Sequence, residues 1–275
     1  MTPLVSTDWL ANNLTHVRVV DASWYMPDDK RDTAAEFQAA HIPGAVFFDI
    51  DGIADHRTNL PHMLPPPGQF SAAMRELGIG DGETVVVYDG MGIFSAPRAW
   101  WMLKAMGHDD VHVLDGGLPK WKKEGRTLES GAAKPQAKFF TAIPRRGLVR
   151  DFQDVKAALS ETQIVDARSN SRFTGAEAEP RTGLKSGHMP GAVNLPWRAL
   201  LTPDNTLKDD HALQALFAEK GIDLRAPIIT SCGSGISAAI LMLAMEKLGA
   251  QHLSLYDGSW AEWGGRADAP IAVGD

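Results

Sequence analysis

The sequence lacks the features that accompany a disulfide-stabilised, membrane-spanning or nucleic-acid-binding protein. Its 275 residues include a single cysteine, Cys232, which by itself forms neither an internal disulfide nor a metal site built from several thiolates. No uninterrupted apolar run approaches the roughly 18 residues that a membrane span needs. The formal net charge of −7 argues against a nucleic-acid or membrane partner, since both favour a basic surface. What remains is a globular composition, with 44% apolar residues available for a core.

The start of the chain does not show the pattern typical of a targeting signal. The segment MTPLVSTDWLANNL contains no basic stretch followed by an apolar core, so we expect no signal peptide. With one thiol and no such signal, we expect a cytoplasmic, reducing location. Nothing in the sequence suggests a metal ion or an organic cofactor.

What the sequence does contain is a repeat of domain size. Four pairs of matching residues keep their order along the chain and are separated by 142 to 147 positions: Asp21 and Asp166, His41 and His188, Asp115 and Asp257, and Trp121 and Trp263. A period of this length indicates a duplicated domain and excludes a solenoid of short repeats. The boundaries that we predict are a first domain over 1–133, a linker over 134–147 and a second domain over 148–275.

Each copy has the pattern of an α/β domain. Short β-rich runs (VRVVDAS, TVVVYDG, VHVLDGG, QIVDARS, PIITSCG and LSLYDGS) alternate with segments of helical period such as PGQFSAAMRELG and HALQALFAEKG. Helices between strands require crossover connections, so we expect a mainly parallel sheet flanked by helices in each copy.

The duplication separates scaffold from candidate chemistry. Features kept in both copies, such as His41 and His188 in the H-[IM]-P-G-A-V turns, are predicted to be structural, with the imidazoles bonded to backbone. Cys232 is present in one copy alone, because its counterpart in the first copy is Asp89. This asymmetry makes Cys232 the strongest candidate for a reactive group.

Cys232 lies where a strand should give way to a helix, in the sequence APIITSCGSGISAAILMLAMEKLGA. Backbone N–H groups of such a loop, and those of the first helical turn, can converge on one point and favour an anion there. Gly233 and Gly235 would let the backbone curl closely around it. We therefore expect a nucleophilic thiolate at Cys232.

Other interpretations of this loop exist. Cys232 could be an inert, buried core residue, as free cysteines often are. A phosphatase with a Cys-x5-Arg loop would need arginine at position 238, where this chain has Ala238. The residues from Gly233 to Ala238 also satisfy G-x-G-x-x-A, but too little chain follows them for a dinucleotide-binding half.

Taken together, these features resemble the rhodanese-type sulfurtransferases. The loop CGSGIS resembles the CGSGVT loop of family members that use 3-mercaptopyruvate, whereas thiosulfate-using members carry basic residues directly after the cysteine. Matching segments extend along nearly the whole chain: DASWYMP, AAHIPGAVFFDID, PHMLP, FSAPRAWWML, LDGGLPKW, RFTGAEAEPR, GHMPGAVN and YDGSWAEW. The resemblance implies two tandem rhodanese-like domains, the second of them catalytic.

The resemblance also implies the reaction and the residues that carry it. Cys232 would attack the sulfur of 3-mercaptopyruvate and hold it as a persulfide, releasing pyruvate and passing the sulfur to a thiol, thioredoxin or cyanide. Arg172 and Arg181 would bind the donor's carboxylate through their planar guanidinium groups. The further substrate-binding positions are those of the loop, which are Gly233, Gly235, Ile236 and Ser237.

The family's proton-transfer residues match Ser234, His62 and Asp51. A carboxylate that orients an imidazole, with a hydroxyl linking it to sulfur, is a sensible relay. Asp49 is an alternative to Asp51, because the two lie on the same face of an extended segment. We expect His62 and Asp51 to reach the thiol from the first copy.

Two other functions fit the same sequence. One is a sulfurtransferase that prefers thiosulfate, which the neutral residues after Cys232 disfavour. The other is a non-catalytic carrier that only shuttles a persulfide to a protein partner, which the two arginines disfavour.

Overall fold

The computed structural model describes residues 2–274, and this part of the chain divides into two units. The first unit contains residues 2–55, 64–145 and 203–207, and the second contains 56–63, 146–202 and 208–274. Each unit is described separately below. Among residues 2–274, no helix has both the length and the apolar character needed to cross a bilayer.

The first unit is built on a parallel sheet of five strands. In chain order the strands are β1 (Leu4–Val5), β2 (Arg18–Asp21), β3 (Val46–Phe47), β4 (Val85–Tyr88) and β5 (Val111–Leu114). Their order across the sheet is β1-β5-β4-β2-β3, and every neighbouring pair is parallel. The helices are α1 (Thr7–Asn13), α2 (Thr33–Ala39), α3 (Ile50–Ile53), α4 (Pro67–Glu76), α5 (Ala96–Ala105) and α6 (Gly117–Lys123).

The second unit repeats this arrangement. Its strands are β6 (Val149–Arg150), β7 (Gln163–Asp166), β8 (Val193–Asn194), β9 (Ile228–Ser231) and β10 (Leu253–Tyr256). Their order is β6-β10-β9-β7-β8, which matches the first sheet strand for strand. The helices are α7 (Phe152–Ala158), α8 (Asn170–Phe173), α9 (Asp210–Glu219), α10 (Ala238–Lys247) and α11 (Ser259–Trp263). The predicted α/β class, with two mainly parallel sheets flanked by helices, is confirmed.

The burial of the central strands shows that each sheet lies in the interior of its unit. All four residues of β4, β5, β9 and β10 are buried, which is typical of parallel strands covered by helices on both faces. Helix α10, which follows the cysteine loop, is almost entirely apolar, and eight of its ten residues are buried. The loop between β9 and α10 is therefore held by two buried elements.

The two histidines that both copies share bond to the backbone, as the sequence predicts. Nδ1 of His41 bonds to the carbonyl oxygen of Phe37 at 2.7 Å, and its ring stacks on the Phe37 ring. His188 makes the equivalent bond and stack with Phe173, at 2.9 Å for the bond. These contacts fix equivalent turns in the two units.

Candidate functional site

The cysteine loop begins where β9 ends and stops where α10 begins. Cys232 directly follows the strand, and its side chain is buried, with 2% of the residue exposed. The backbone N–H of Gly235 donates to Sγ of Cys232 at 3.1 Å. Gly235 has a φ of +81°, a conformation that L side chains rarely adopt, so glycine is required for this contact. The loop therefore presents a backbone donor to the sulfur.

The start of α11 holds the loop from the other side. The N–H groups of Trp260 and Ala261 donate to the carbonyl oxygens of Cys232 and Gly233, both at 2.9 Å. The N–H of Cys232 donates to Oγ of Ser259 at 3.3 Å. Three consecutive residues of one helix thus bind the first two residues of the loop.

Arg172 lies directly against this loop. It belongs to the short helix α8, and a Cβ placed on Gly233 would lie only 3.0 Å from its Nη2 atom. Glycine at 233 therefore makes room for the guanidinium group next to the cysteine, since any side chain there would crowd it. The structure brings Arg172 and the loop together, as the sequence predicts.

A buried ion-pair network fixes Arg172 in this place. Nε and Nη2 of Arg172 donate to the two carboxylate oxygens of Glu179, at 3.2 and 2.5 Å. Glu179 also accepts from Nη1 of Arg168 at 2.8 Å, and Arg168 in turn is paired with Asp166 at 2.7 Å. The side chains of Asp166, Arg168 and Glu179 are 1% exposed. Sequence reasoning missed this network, although Glu179 lies in the RFTGAEAEPR segment that contains both predicted arginines.

The charges in the network support one another. Burial alone would lower the pKa of Arg168, but the charges of Asp166 and Glu179 and their hydrogen bonds raise it above its ordinary value. The Arg168 guanidinium also lies over the Trp260 ring, 4.2 Å from its centroid. The network therefore connects Arg172 to α11, the helix that holds the cysteine loop.

The first repeat shows what this type of loop binds. Asp89 occupies the position that corresponds to Cys232 and is 1% exposed. Its Oδ2 atom accepts from the N–H groups of Phe94, Ser95 and Ala96 at 2.7, 2.9 and 2.9 Å, and Oδ1 accepts from Met91 at 2.8 Å. Four backbone donors converge on one carboxylate. A strand-to-helix loop of this kind is therefore an anion site in the first unit.

The other predicted loop residues lie as follows. Ser234 and Ile236 are buried, with 7% and 3% exposed, and Ser237 precedes the first residue of α10. Arg181 is partly buried and follows Glu179 by two residues. The roles of these residues in substrate binding stay predictions.

The two predicted relay residues fall in different units. His62 is buried, has a left-handed backbone with φ of +62°, and belongs to the segment 56–63 of the second unit. Asp51 belongs to the first unit and is exposed, and its Oδ2 accepts from Nε1 of Trp24 at 2.8 Å. Asp49 has a different task, since it caps α3 by accepting from the N–H groups of Asp51 and Gly52.

Comparison with known families gives one match to each repeat. The model described as "Rhodanese-like domain" matches residues 6–124 and 151–266. The two matched ranges contain Asp89 and Cys232, respectively.

Relatives of known name match along nearly the whole chain. The 3-mercaptopyruvate sulfurtransferase of Escherichia coli (strain K12) is 44% identical, over 97% of this chain and 96% of the relative. The thiosulfate sulfurtransferase of Rattus norvegicus is 40% identical, over 98% of this chain and 94% of the relative. Among solved structures, the crystal structure of SseA from Escherichia coli, described as a 3-mercaptopyruvate sulfotransferase with the rhodanese fold, has a TM-score of 0.87. It is 42% identical and covers 95% of this chain and 100% of its own.

Proposed function

The chain belongs to the rhodanese family, and from this premise we propose that it is an enzyme that transfers sulfur from 3-mercaptopyruvate to a thiophilic acceptor. Cys232 carries the sulfur between the two as a persulfide. The observation that carries the proposal is the single thiol in a strand-to-helix loop, with a backbone N–H at 3.1 Å from its sulfur and a guanidinium group beside it.

The proposed reaction has two steps. The Cys232 thiolate attacks the sulfur of the donor, so that an S–S bond forms while the donor's C–S bond breaks. The electron pair of that bond moves to carbon and gives the enolate of pyruvate. The proton of the donor thiol is then transferred to that carbon. In the second step an acceptor thiolate attacks the outer sulfur, and the electron pair of the S–S bond returns to Sγ.

Asp89 supports the persulfide step by its shape. A carboxylate oxygen of aspartate lies two bonds beyond Cβ, and the outer sulfur of a cysteine persulfide does too. Three N–H groups hold that oxygen in the first repeat. Aligned from the helix start, their counterparts are the N–H groups of Ile236, Ser237 and Ala238. We assign these three groups to the anionic outer sulfur.

The donor's 2-keto acid group is assigned to the two arginines. A planar guanidinium can bind a carboxylate through two parallel hydrogen bonds and stabilise the enolate that develops. Arg172 is supported in this role by its place against Gly233. Arg181 is assigned to the same group from its place in the family pattern.

The proton transfers are assigned to Ser234, His62 and Asp51. The hydroxyl of Ser234 is two residues from the thiol in the loop, and His62 is the imidazole of the relay. Asp51 orients that imidazole in this proposal, and Asp49 does not, because its carboxylate already caps α3. A thiol, thioredoxin or cyanide is proposed as the acceptor, and the cytoplasm as the location.

The experiment that tests the proposal uses the fact that the chain has one cysteine. The intact protein is incubated with 3-mercaptopyruvate and its mass is measured, and the expected result is one added sulfur with release of one equivalent of pyruvate. Cys232→Ser should add none while its thermal unfolding stays close to that of the wild type. Sulfur loading from thiosulfate alone would instead support a thiosulfate sulfurtransferase, and loading without repeated turnover a carrier.

A further inference from the structure

Ser259 combines a strained backbone with a bond to the catalytic cysteine. Its φ is +47°, in the left-handed region, and the residue is 0% exposed. Its hydroxyl donates to the carbonyl oxygen of Tyr256 at 2.8 Å and accepts from the N–H of Cys232 at 3.3 Å. The hydroxyl therefore links the end of β10 to the first residue of the cysteine loop.

The left-handed backbone is unfavourable for serine. Residues other than glycine, asparagine and aspartate rarely adopt this backbone conformation, because their Cβ comes too close to the following carbonyl oxygen. Such strain persists where the surrounding structure enforces it, and it concentrates at functional sites. Ser259 is the first residue of α11, and its conformation is what directs the N–H groups of Trp260 and Ala261 at the loop.

The first repeat reaches the same backbone without strain. Gly117 occupies the equivalent position and has a φ of +51°, which glycine adopts readily. The next N–H, of Leu118, donates to the carbonyl oxygen of Asp89 at 3.0 Å, just as Trp260 does to Cys232. A Cβ on Gly117 would lie 2.5 Å from that oxygen. Glycine therefore suffices to make the turn, and the second repeat keeps a serine in it for another reason.

We infer that Ser259 is a positioning residue for Cys232, and that its hydroxyl is the reason for the strained serine. This inference rests on the proposed function. The bond to the Cys232 N–H fixes the backbone of the residue whose side chain carries the sulfur. It thereby fixes the direction of Sγ toward the N–H of Gly235. Since Ser259 does not reach the donor in this scheme, it affects the rate of sulfur transfer and not donor binding.

The test compares two substitutions that remove the same hydroxyl. Ser259→Gly also removes the strain, as in the first repeat, whereas Ser259→Ala keeps it. Both variants should lower kcat for sulfur transfer about tenfold and leave KM for the donor within about twofold, as expected for one lost hydrogen bond that acts in the transition state. Ser259→Gly should unfold at a higher temperature than Ser259→Ala, which separates the strain from the hydroxyl.

A second readout does not depend on any donor. Because the chain has one cysteine, labelling with ¹⁵N-cysteine gives one amide signal, that of Cys232. Its hydrogen exchange should become about tenfold faster in both variants, because the amide loses its acceptor. Ser254→Ala is the matched control, a buried serine of β10 whose hydroxyl bonds to Arg150 and Ile228. It should leave both the Cys232 exchange and kcat unchanged.

The outcomes are distinguishable. Wild-type kcat in both Ser259 variants, or a rise in KM with kcat unchanged, overturns the inference. So does faster amide exchange with no change in kcat, because Ser259 would then be structural. If the wild type accepts thiosulfate and not 3-mercaptopyruvate, the proposed donor is wrong, and the same comparison made with thiosulfate still decides the role of Ser259.

Discussion

At the scale of single residues, the site depends on a balance of charges that the positions of Arg172 and Glu179 determine. Arg172 is 18% exposed on its side chain, so it can meet a ligand, while Glu179 is 1% exposed. The buried carboxylate takes one N–H of Nε and one of Nη2, which leaves the outward N–H groups of Nη1 and Nη2 for the proposed donor. Arg172 is thus pre-positioned, which lowers the cost of ordering it when the donor binds.

Arg172→Lys should weaken binding of the donor without disabling the thiol. Lysine keeps the charge but loses the planar pair of donors, so we expect KM for 3-mercaptopyruvate to rise about tenfold. Alkylation of Cys232 by iodoacetamide, a neutral reagent, should stay within about twofold of wild type. Arg225→Lys is the control, since Arg225 is 92% exposed on its side chain and paired with Asp223. An equal KM in the two variants would contradict the assignment.

Glu179→Gln should cost both stability and donor binding. Removing one partner of a buried ion pair leaves one positive charge of the network uncompensated, since Asp166 still pairs with Arg168 but Arg172 loses its partner, and this costs about 3 kcal/mol. Urea unfolding should show this loss, and KM for 3-mercaptopyruvate should rise. The control is Glu177→Gln, two residues earlier, because Glu177 is exposed and accepts only the Ser171 hydroxyl at 2.6 Å among the contacts described. If the two variants are equally stable, the ion-pair network does not contribute to the stability of the fold.

At the scale of elements, the strand-to-helix loop recurs, after β4 in the first repeat and after β9 in the second. In the first repeat it closes around a carboxylate of its own chain, and in the second it holds a thiol at the same place. The surrounding strands are equivalent, since β4 and β9 occupy the same position in their sheets. The two loops differ in length by one residue, 89–95 against 232–237, and in the group that follows the strand, which is a carboxylate in the first repeat and a thiol in the second.

Asp89→Asn should destabilise the first unit substantially. Its carboxylate accepts four backbone N–H bonds while almost fully buried, and asparagine loses the charge and one acceptor oxygen. Bonds to a charged group contribute about 1.5–3 kcal/mol each, so we expect the free energy of unfolding to fall by about 3 kcal/mol. Asp109→Asn is the control, an exposed partner of Arg145 whose loss should cost less than about 1 kcal/mol. Thermal scans that show equal losses would contradict this.

The elements also show what sequence patterns can and cannot predict. The six β-rich runs contain β2, β4, β5, β7, β9 and β10, and the two helical patterns correspond to α4 and α9. The strands β1, β3, β6 and β8 have only two residues each, too short for any periodicity to appear. Each of these short strands forms because it pairs with a longer neighbouring strand, so only the tertiary structure defines it.

The same distinction applies to the site. Cys232 stands out in the sequence because it is alone and its counterpart differs, and Arg172 stands out by its motif. Glu177 and Glu179 look alike in sequence, yet one is exposed and the other is buried between two arginines. The role of Ser259 depends on a backbone angle that no composition reveals. Contacts through space, and not residue types, decide both.

At the scale of the whole molecule, the duplicated architecture leaves one thiol in a nearly neutral setting. The chain carries a formal charge of −7, and the network beside the loop combines two arginines with two carboxylates, Asp166 and Glu179. The residues after the cysteine, Gly233 and Ser234, are uncharged. By itself this network offers little net attraction to a doubly charged donor, whereas the planar guanidinium of Arg172 suits a single carboxylate.

Donor preference should follow from this charge balance. We expect kcat/KM for 3-mercaptopyruvate to exceed that for thiosulfate by about tenfold or more, since each 1.4 kcal/mol of transition-state binding is worth a factor of ten.

Gly233→Arg should shift this ratio toward thiosulfate. Its φ lies outside the left-handed region, so the backbone accepts a side chain. The new Cβ, however, would lie 3.0 Å from Nη2 of Arg172, so the substitution would displace the Arg172 guanidinium while adding a cation near the sulfur. Gly147→Arg is the control, because that glycine has open space for a Cβ and the variant carries the same change in net charge. Steady-state kinetics with both donors decide the matter: an unchanged ratio in Gly233→Arg, or an equal shift in Gly147→Arg, would mean that the local charges of the loop do not select the donor.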